Sequence, residues 1–68
     1  MAKGKVKWFH TTKGYGFILP DEGGRDIFVH RNNVEGLEWD EVLRDGERVE
    51  FEVEQTPKGL NATHVRRA

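Results

Sequence analysis

The residues best equipped for covalent chemistry are missing from this chain. It has neither cysteine nor serine, which removes disulfides, thiolate zinc sites, thiol nucleophiles and the commonest hydroxyl nucleophile. His10, His30 and His64, with many carboxylates, are candidates for acid–base work. They fall in no H-E-x-x-H pattern, no D-x-D cluster and no phosphate-cradling glycine loop, and scattered histidines without thiols are poor metal sites. No catalysis, metal, cofactor or small-molecule substrate is therefore expected. What remains is a set of rings, Tyr15, Phe17, Phe28 and His30, two residues apart in two short runs, with Lys5, Lys7 and Lys13 close by in sequence. Every nucleobase presents a π-face, and stacking one on an aromatic side chain is worth about 1–3 kcal/mol. Lysines among the rings would track the phosphates.

The elements that carry these residues follow from periodicity. No window of eleven residues sustains helical apolar spacing, whereas strict alternation recurs, so the fold is expected to be all-β. In Arg48-Val49-Glu50-Phe51-Glu52-Val53-Glu54 the apolar residues form one face and the charges the other. Tyr15 to Leu19 and Asp26 to His30 alternate differently: Ile18, Ile27 and Val29 share a core side, and the rings take the opposite side. Lys5 to Phe9 reads as a first strand and Leu60 to Arg66 as a last one. Turn signals at Thr12-Lys13-Gly14, Pro20 to Gly24, Asp45-Gly46 and Pro57-Lys58-Gly59 separate them. The long stretch from Arg31 to Glu47 is irregular, with a short helical turn expected at Asn32-Asn33-Val34. Five short strands with one long connection suit a five-stranded antiparallel Greek-key barrel of the OB-fold type, which leaves no sheet edges.

The rings are expected on the outside because the core is already supplied. Val6, Ile18, Ile27, Val29, Val34, Val49, Phe51, Val53 and Val65 suffice for one core in 68 residues. A second buried layer would need covering elements that the chain does not have.

These residues carry a family resemblance. Lys13-Gly14-Tyr15-Gly16-Phe17-Ile18 resembles the first ribonucleoprotein motif and Ile27-Phe28-Val29-His30 the second, in the arrangement of bacterial cold-shock proteins. Gly4-Lys5-Val6-Lys7-Trp8-Phe9 before them, and Asp45-Gly46 and Pro57-Lys58-Gly59 after them, extend the match over residues 1–68 as one cold-shock domain. The resemblance implies a protein that binds single-stranded RNA and DNA and acts as an RNA chaperone and a regulator of transcription and translation. It implies stacking roles for Trp8, Tyr15, Phe17, Phe28, His30 and Trp39, a peripheral role for Phe9, and backbone or base-edge contacts for Lys7, Lys13, Asp26 and Lys58. Gly14 and Gly16 would leave room for neighbouring rings and for strand curvature.

At one point alternation and resemblance disagree. Alternation puts Trp8 inside with Val6 and Phe9 outside with Lys5 and Lys7, whereas the resemblance puts Trp8 on the binding face. The second placement requires a strong twist or a bulge near the end of the first strand, and it is the one adopted. The chain also departs from the family pattern. Arg31 stands where a large aromatic or aliphatic residue is usual; its guanidinium can stack on a base and adds a charge, so a binding role with greater salt sensitivity is expected. His10 replaces the usual asparagine, and Leu60 to His64 differs from the family pattern, so no base-edge contact is carried over there.

The formal net charge of -1 conceals a strong asymmetry. Residues 1–20 carry +4, residues 21–55 carry -8 and residues 56–68 carry +3. If the two ends meet, one face is basic while the rest repels polyanions. No apolar leader or membrane-length segment is present, so a cytoplasmic location, no membrane partner and a monomer are expected. A different class of function is also open. Small barrels with an aromatic groove dock Pro-rich peptides, and Glu38-Trp39-Asp40-Glu41 could supply the acidic loop of such a module.

Overall fold

The computed structural model describes every residue from Met1 to Ala68 and places strands where the sequence alternates. They are β1 (Ala2–His10), β2 (Tyr15–Pro20), β3 (Ile27–His30), β4 (Arg48–Thr56) and β5 (Gly59–Arg67), with one 3-10 turn at Arg31–Asn33. The sheet closes on itself in the order β1-β2-β3-β5-β4. Three consecutive strands form a meander, β4 returns beside β1, and β5 seals the barrel against β3. The closing contact is short and parallel, at Phe28 and Asn61, while the other pairings are antiparallel.

A bulge in β1 settles which of its aromatic residues faces outward. Val6 pairs with Ile18 and Trp8 with Phe17, so Lys7 is an extra residue on β1 and the alternation reverses there. Before the bulge Gly4 and Val6 are buried; after it Phe9 is buried and Trp8 is half-exposed. Gly16, paired with Phe9, is what lets β2 lie against the bulge. A Cβ there would collide with the Trp8 carbonyl oxygen and stand 2.8 Å from the Phe9 Cα.

Val6, Phe9, Ile18, Ile27, Val29, Val34, Leu43, Val49, Phe51, Ala62 and Val65 form the core. Three differences from the alternation pattern have physical causes. Phe9 joins the core because of the bulge. Val53 is 45% exposed: it pairs with buried Ala62, but lies where β4 and β5 run on toward the open end of the barrel, lining a cleft with Ala2, Ile27 and Leu60. Leu43, in the irregular connection and outside any periodic run, is 2% exposed. The connection thus contributes core of its own, with Val34 bridging to Val65 and Leu37 and Val42 packed against the cluster.

Surface ion pairs tie elements together more than they stabilise them. Arg48, opening β4, donates to both carboxylate oxygens of Asp21 in the β2–β3 turn, at 2.9 and 2.5 Å. That hydrogen bonding, then the charge of Arg48, holds the Asp21 carboxyl below its usual range. Because the folded value lies below the unfolded one, near 3.9, the contribution is present at neutral pH and lost as pH falls through the folded value. The difference in thermal midpoint between the native chain and Asp21→Asn is therefore expected to be small at pH 7 and to shrink below about pH 4. A difference that widens in acid would contradict this linkage.

Candidate nucleic-acid interface

Beta-strand pairing brings the rings together. Tyr15 lies opposite His30 and Phe17 opposite Phe28 across β2 and β3, while the bulge sets Trp8 opposite Phe17 across β1 and β2. Phe17 is 5.3 Å from Trp8 and 5.8 Å from Phe28, centroid to centroid, and Tyr15 is 5.7 Å from both Trp8 and Phe28. The pairs are mostly tilted or edge-on, the geometry that ring quadrupoles favour. Each ring is half-exposed, so a face or edge remains open to a ligand. The cluster's members pack on each other and stand on strands whose other side is the core.

Polar groups border the rings. Lys7, the extra residue of the bulge, forms an ion pair with Asp26 at 3.0 Å. Asp26, Arg25, Lys58 and Asn61 line one cleft of about 560 Å³ with Phe17 and Phe28. Asn61 Oδ1 is a buried side-chain oxygen without a hydrogen-bond partner. His30 uses Nδ1 to accept the backbone N–H of Asn32 at 3.1 Å, which leaves Nε2 uncommitted. The Lys13 backbone N–H donates to His10 Nδ1 at 3.1 Å, and closes the β1–β2 turn beside the rings.

Of the residues expected at the site, Trp8, Tyr15, Phe17 and Phe28 come into direct ring contact, His30 joins them by strand register, and Lys7, Asp26 and Lys58 border them. Trp39 stands apart from the cluster, on the long connection, 87% exposed. Phe9 is a correction: at 7% exposure its ring packs in the core and cannot reach a ligand on this face. Arg31, also expected at the site, reaches toward the long connection. Its guanidinium Nη2 donates to the carbonyl oxygens of Glu38 and Trp39, at 2.9 and 3.1 Å. His10, to which the sequence assigns no contact, has its ring nearly parallel to Tyr15, 7° between planes and 5.9 Å between centroids. With Trp8 outside, alternation puts His10 on the same face two residues later.

The basic ends of the chain bring only part of their charge to this face. Arg66 pairs with Glu35, and Arg67 with Glu41 and Glu47, while Lys3 pairs with Glu50. The last segment's arginines are neutralised by the acidic middle of the chain. The lysines left beside the rings are Lys13 and Lys58, with Lys7 shared with Asp26.

A closed five-stranded barrel with half-exposed rings on neighbouring strands is an OB-type domain with an aromatic face. Comparison with known proteins is consistent with this class. The profile of the 'Cold-shock' DNA-binding domain matches residues 2–68. The chain is 52% identical over 64 residues to a "Cold shock-like protein" of Thermotoga maritima, covering 94% of each. It is 50% identical over 68 residues to "Cold shock-like protein CspA" of Stigmatella aurantiaca, covering 97% of this chain and 96% of that one. A solved structure, "drosophila Unr CSD456", superposes with a TM-score of 0.77 over 98% of this chain at 22% identity. That likeness is one of fold, and this chain spans 26% of the longer one. The chain belongs to the cold-shock domain family, a family of nucleic-acid-binding barrels. No helix is long and apolar enough to cross a membrane.

Proposed function

We propose that this protein binds single-stranded RNA and DNA with low sequence specificity, by stacking unpaired bases on Trp8, Tyr15, Phe17, Phe28, His30 and Trp39 while Lys7, Lys13 and Lys58 meet phosphates. The observation that carries the proposal is the contiguous half-exposed ring cluster across β1, β2 and β3. Base pairs hide the faces that such a platform needs, so duplexes bind poorly. Stacking worth about 1–3 kcal/mol per base is comparable with the roughly 1.4 kcal/mol of a duplex stacking step. The protein can therefore hold weak hairpins open without melting long helices. That balance is what an RNA chaperone requires, and by exposing or covering message segments it would regulate transcription and translation in the cytoplasm. We assign it a monomeric, one-domain, non-catalytic mode of action.

Fluorescence quenching of Trp8 and Trp39 by oligo-dT of increasing length tests the reading. Saturable quenching by single strands and little by duplex is expected. Three or four phosphate contacts give a shallow dependence of log affinity on log salt, a slope of about -2 to -3 at roughly -0.7 per phosphate. A slope steeper than about -5 would mean that charge, not stacking, carries affinity. Binding of Pro-rich peptides with oligo-dT left unbound at low salt would favour the peptide-module reading instead. Against that reading, the Glu41 carboxylate is already taken up by the Glu38 N–H, at 2.9 Å, and by Arg67.

A further inference from the structure

Arg31 occupies an unusual position for a surface cation. Its backbone N–H donates to the Gly14 carbonyl at 2.8 Å, and its side chain then runs over Gly14 itself. A Cβ at Gly14 would stand 2.9 Å from the Arg31 Cδ and 3.2 Å from its Cγ. Gly14 has φ of 73°, so glycine serves there twice, for the turn and for the passage of this stem. The guanidinium reaches the long connection and takes no carboxylate, although acids are abundant there. It donates instead to two successive backbone carbonyls, of Glu38 and Trp39.

Those carbonyls belong to a closed turn. The Glu41 N–H donates to the Glu38 carbonyl at 3.0 Å, and the Glu41 side chain accepts the Glu38 N–H at 2.9 Å. Trp39 rides on this turn with its ring almost fully in solvent. No ring contact holds it, so the orientation of the exposed indole is set through its backbone. Arg31 is the side chain that joins this backbone to the end of β3, where His30 lies.

We propose that Arg31 is a positioning residue: it clamps the Glu38–Glu41 turn to the β1–β2 turn and the end of β3, and so holds Trp39 as a stacking surface separate from the ring cluster. This rests on the single-strand-binding reading above. Arg31 then acts through Trp39 and contributes no phosphate contact of its own, although it is a cation at the rim of the face.

The test is Arg31→Met, which keeps the stem over Gly14 and removes the donors. In a Trp8→Phe background Trp39 is the remaining tryptophan, and its fluorescence anisotropy in the free protein is expected to fall when Arg31 is replaced and to be retained in Arg31→Lys, which keeps a cationic donor. Unchanged anisotropy in Arg31→Met overturns the clamp. In oligo-dT titrations of the otherwise native chain, Arg31→Met and Trp39→Ala are each expected to lose roughly tenfold, about one stacked base. The double variant should lose little more than either, and the salt slope of Arg31→Met should match that of the native chain. Additive losses with a slope shallower by about 0.7 would instead make Arg31 a phosphate ligand. If the native chain does not bind oligo-dT, the functional reading falls, while the anisotropy result still decides whether the clamp exists.

Discussion

Phe28→Ala is expected to weaken binding of single-stranded oligonucleotides by roughly 5- to 150-fold, the value of about 1–3 kcal/mol for one stacked base. Phe28 is the member whose loss damages most of the surface at once. It packs on Tyr15 at 24° between planes and on Phe17 at 77°, and it lines the cleft shared with Asp26 and Lys58. Removing it deletes one stacking surface and frees two neighbouring rings to move. The matched control is Lys3→Ala, whose charge is paired with Glu50 on the β4 side of β1. Equilibrium titration of both variants against oligo-dT decides the matter, with a thermal melt to show that each is folded. If Lys3→Ala lost more affinity than Phe28→Ala, the stacking account would be refuted and long-range charge would take its place.

Gly16→Ala is expected to lower stability by about 3 kcal/mol, at the upper end of the cost of overpacking. The methyl group would meet the Trp8 carbonyl and the Phe9 backbone, which are held by strand pairing on one side and core packing on the other. A flexible side chain could turn away, whereas two paired backbones must separate. In a domain of this size, where the core supplies only about 3–5 kcal/mol of net stability, such a loss leaves a large unfolded fraction at 25 °C. Chemical denaturation measures it directly. A loss below about 0.5 kcal/mol would mean that the bulge adjusts freely and that Gly16 is not what seats it. At a permissive temperature the folded fraction should also bind more weakly, because the same bulge holds Trp8 on the ligand face.

Near-neutral total charge is compatible with a nucleic-acid interface of this kind. The acidic middle of the chain neutralises the C-terminal arginines and leaves Arg25 and Lys58 unpaired in the cleft beside Phe17 and Phe28, with Lys13 in the β1–β2 turn. Long-range attraction for polyanions is correspondingly weak, and on the proposed reading contact with unpaired bases supplies the affinity and favours single strands.

Local pattern alone was enough to read most of the architecture. Period-two alternation around Val49 and Phe51, and around Ile18, Ile27 and Val29, defines which strand faces are buried, because adjacent side chains must point to opposite sides of a sheet. The same alternation leaves Tyr15, Phe17, Phe28 and His30 outside a core that is already complete. Where the pattern is interrupted, sequence loses its hold. A bulge adds one residue with no mark in the composition, and only the pairing of β1 with β2 shows that Lys7 is the extra one, that Phe9 turns inward and that His10 lies on Tyr15. Leu43 belongs to no repeat, and its burial is decided by the connection folding across the barrel. Val53 has a core pattern but lies at the open end, where no other element covers it.

Charge pairing was equally out of reach of the one-dimensional pattern. That Arg66 and Arg67 meet acids from the long connection, and that Arg31 turns to the carbonyls of Glu38 and Trp39, depends on residues 7 to 31 positions away in the chain. Sequence determines the strands, the core side and the presence of an aromatic face outside the core, because these follow from the residue types of neighbours along the chain. Tertiary structure decides which rings touch, which cations remain beside them and what holds Trp39, because those depend on register, on one inserted residue and on where a seventeen-residue connection lies against the barrel.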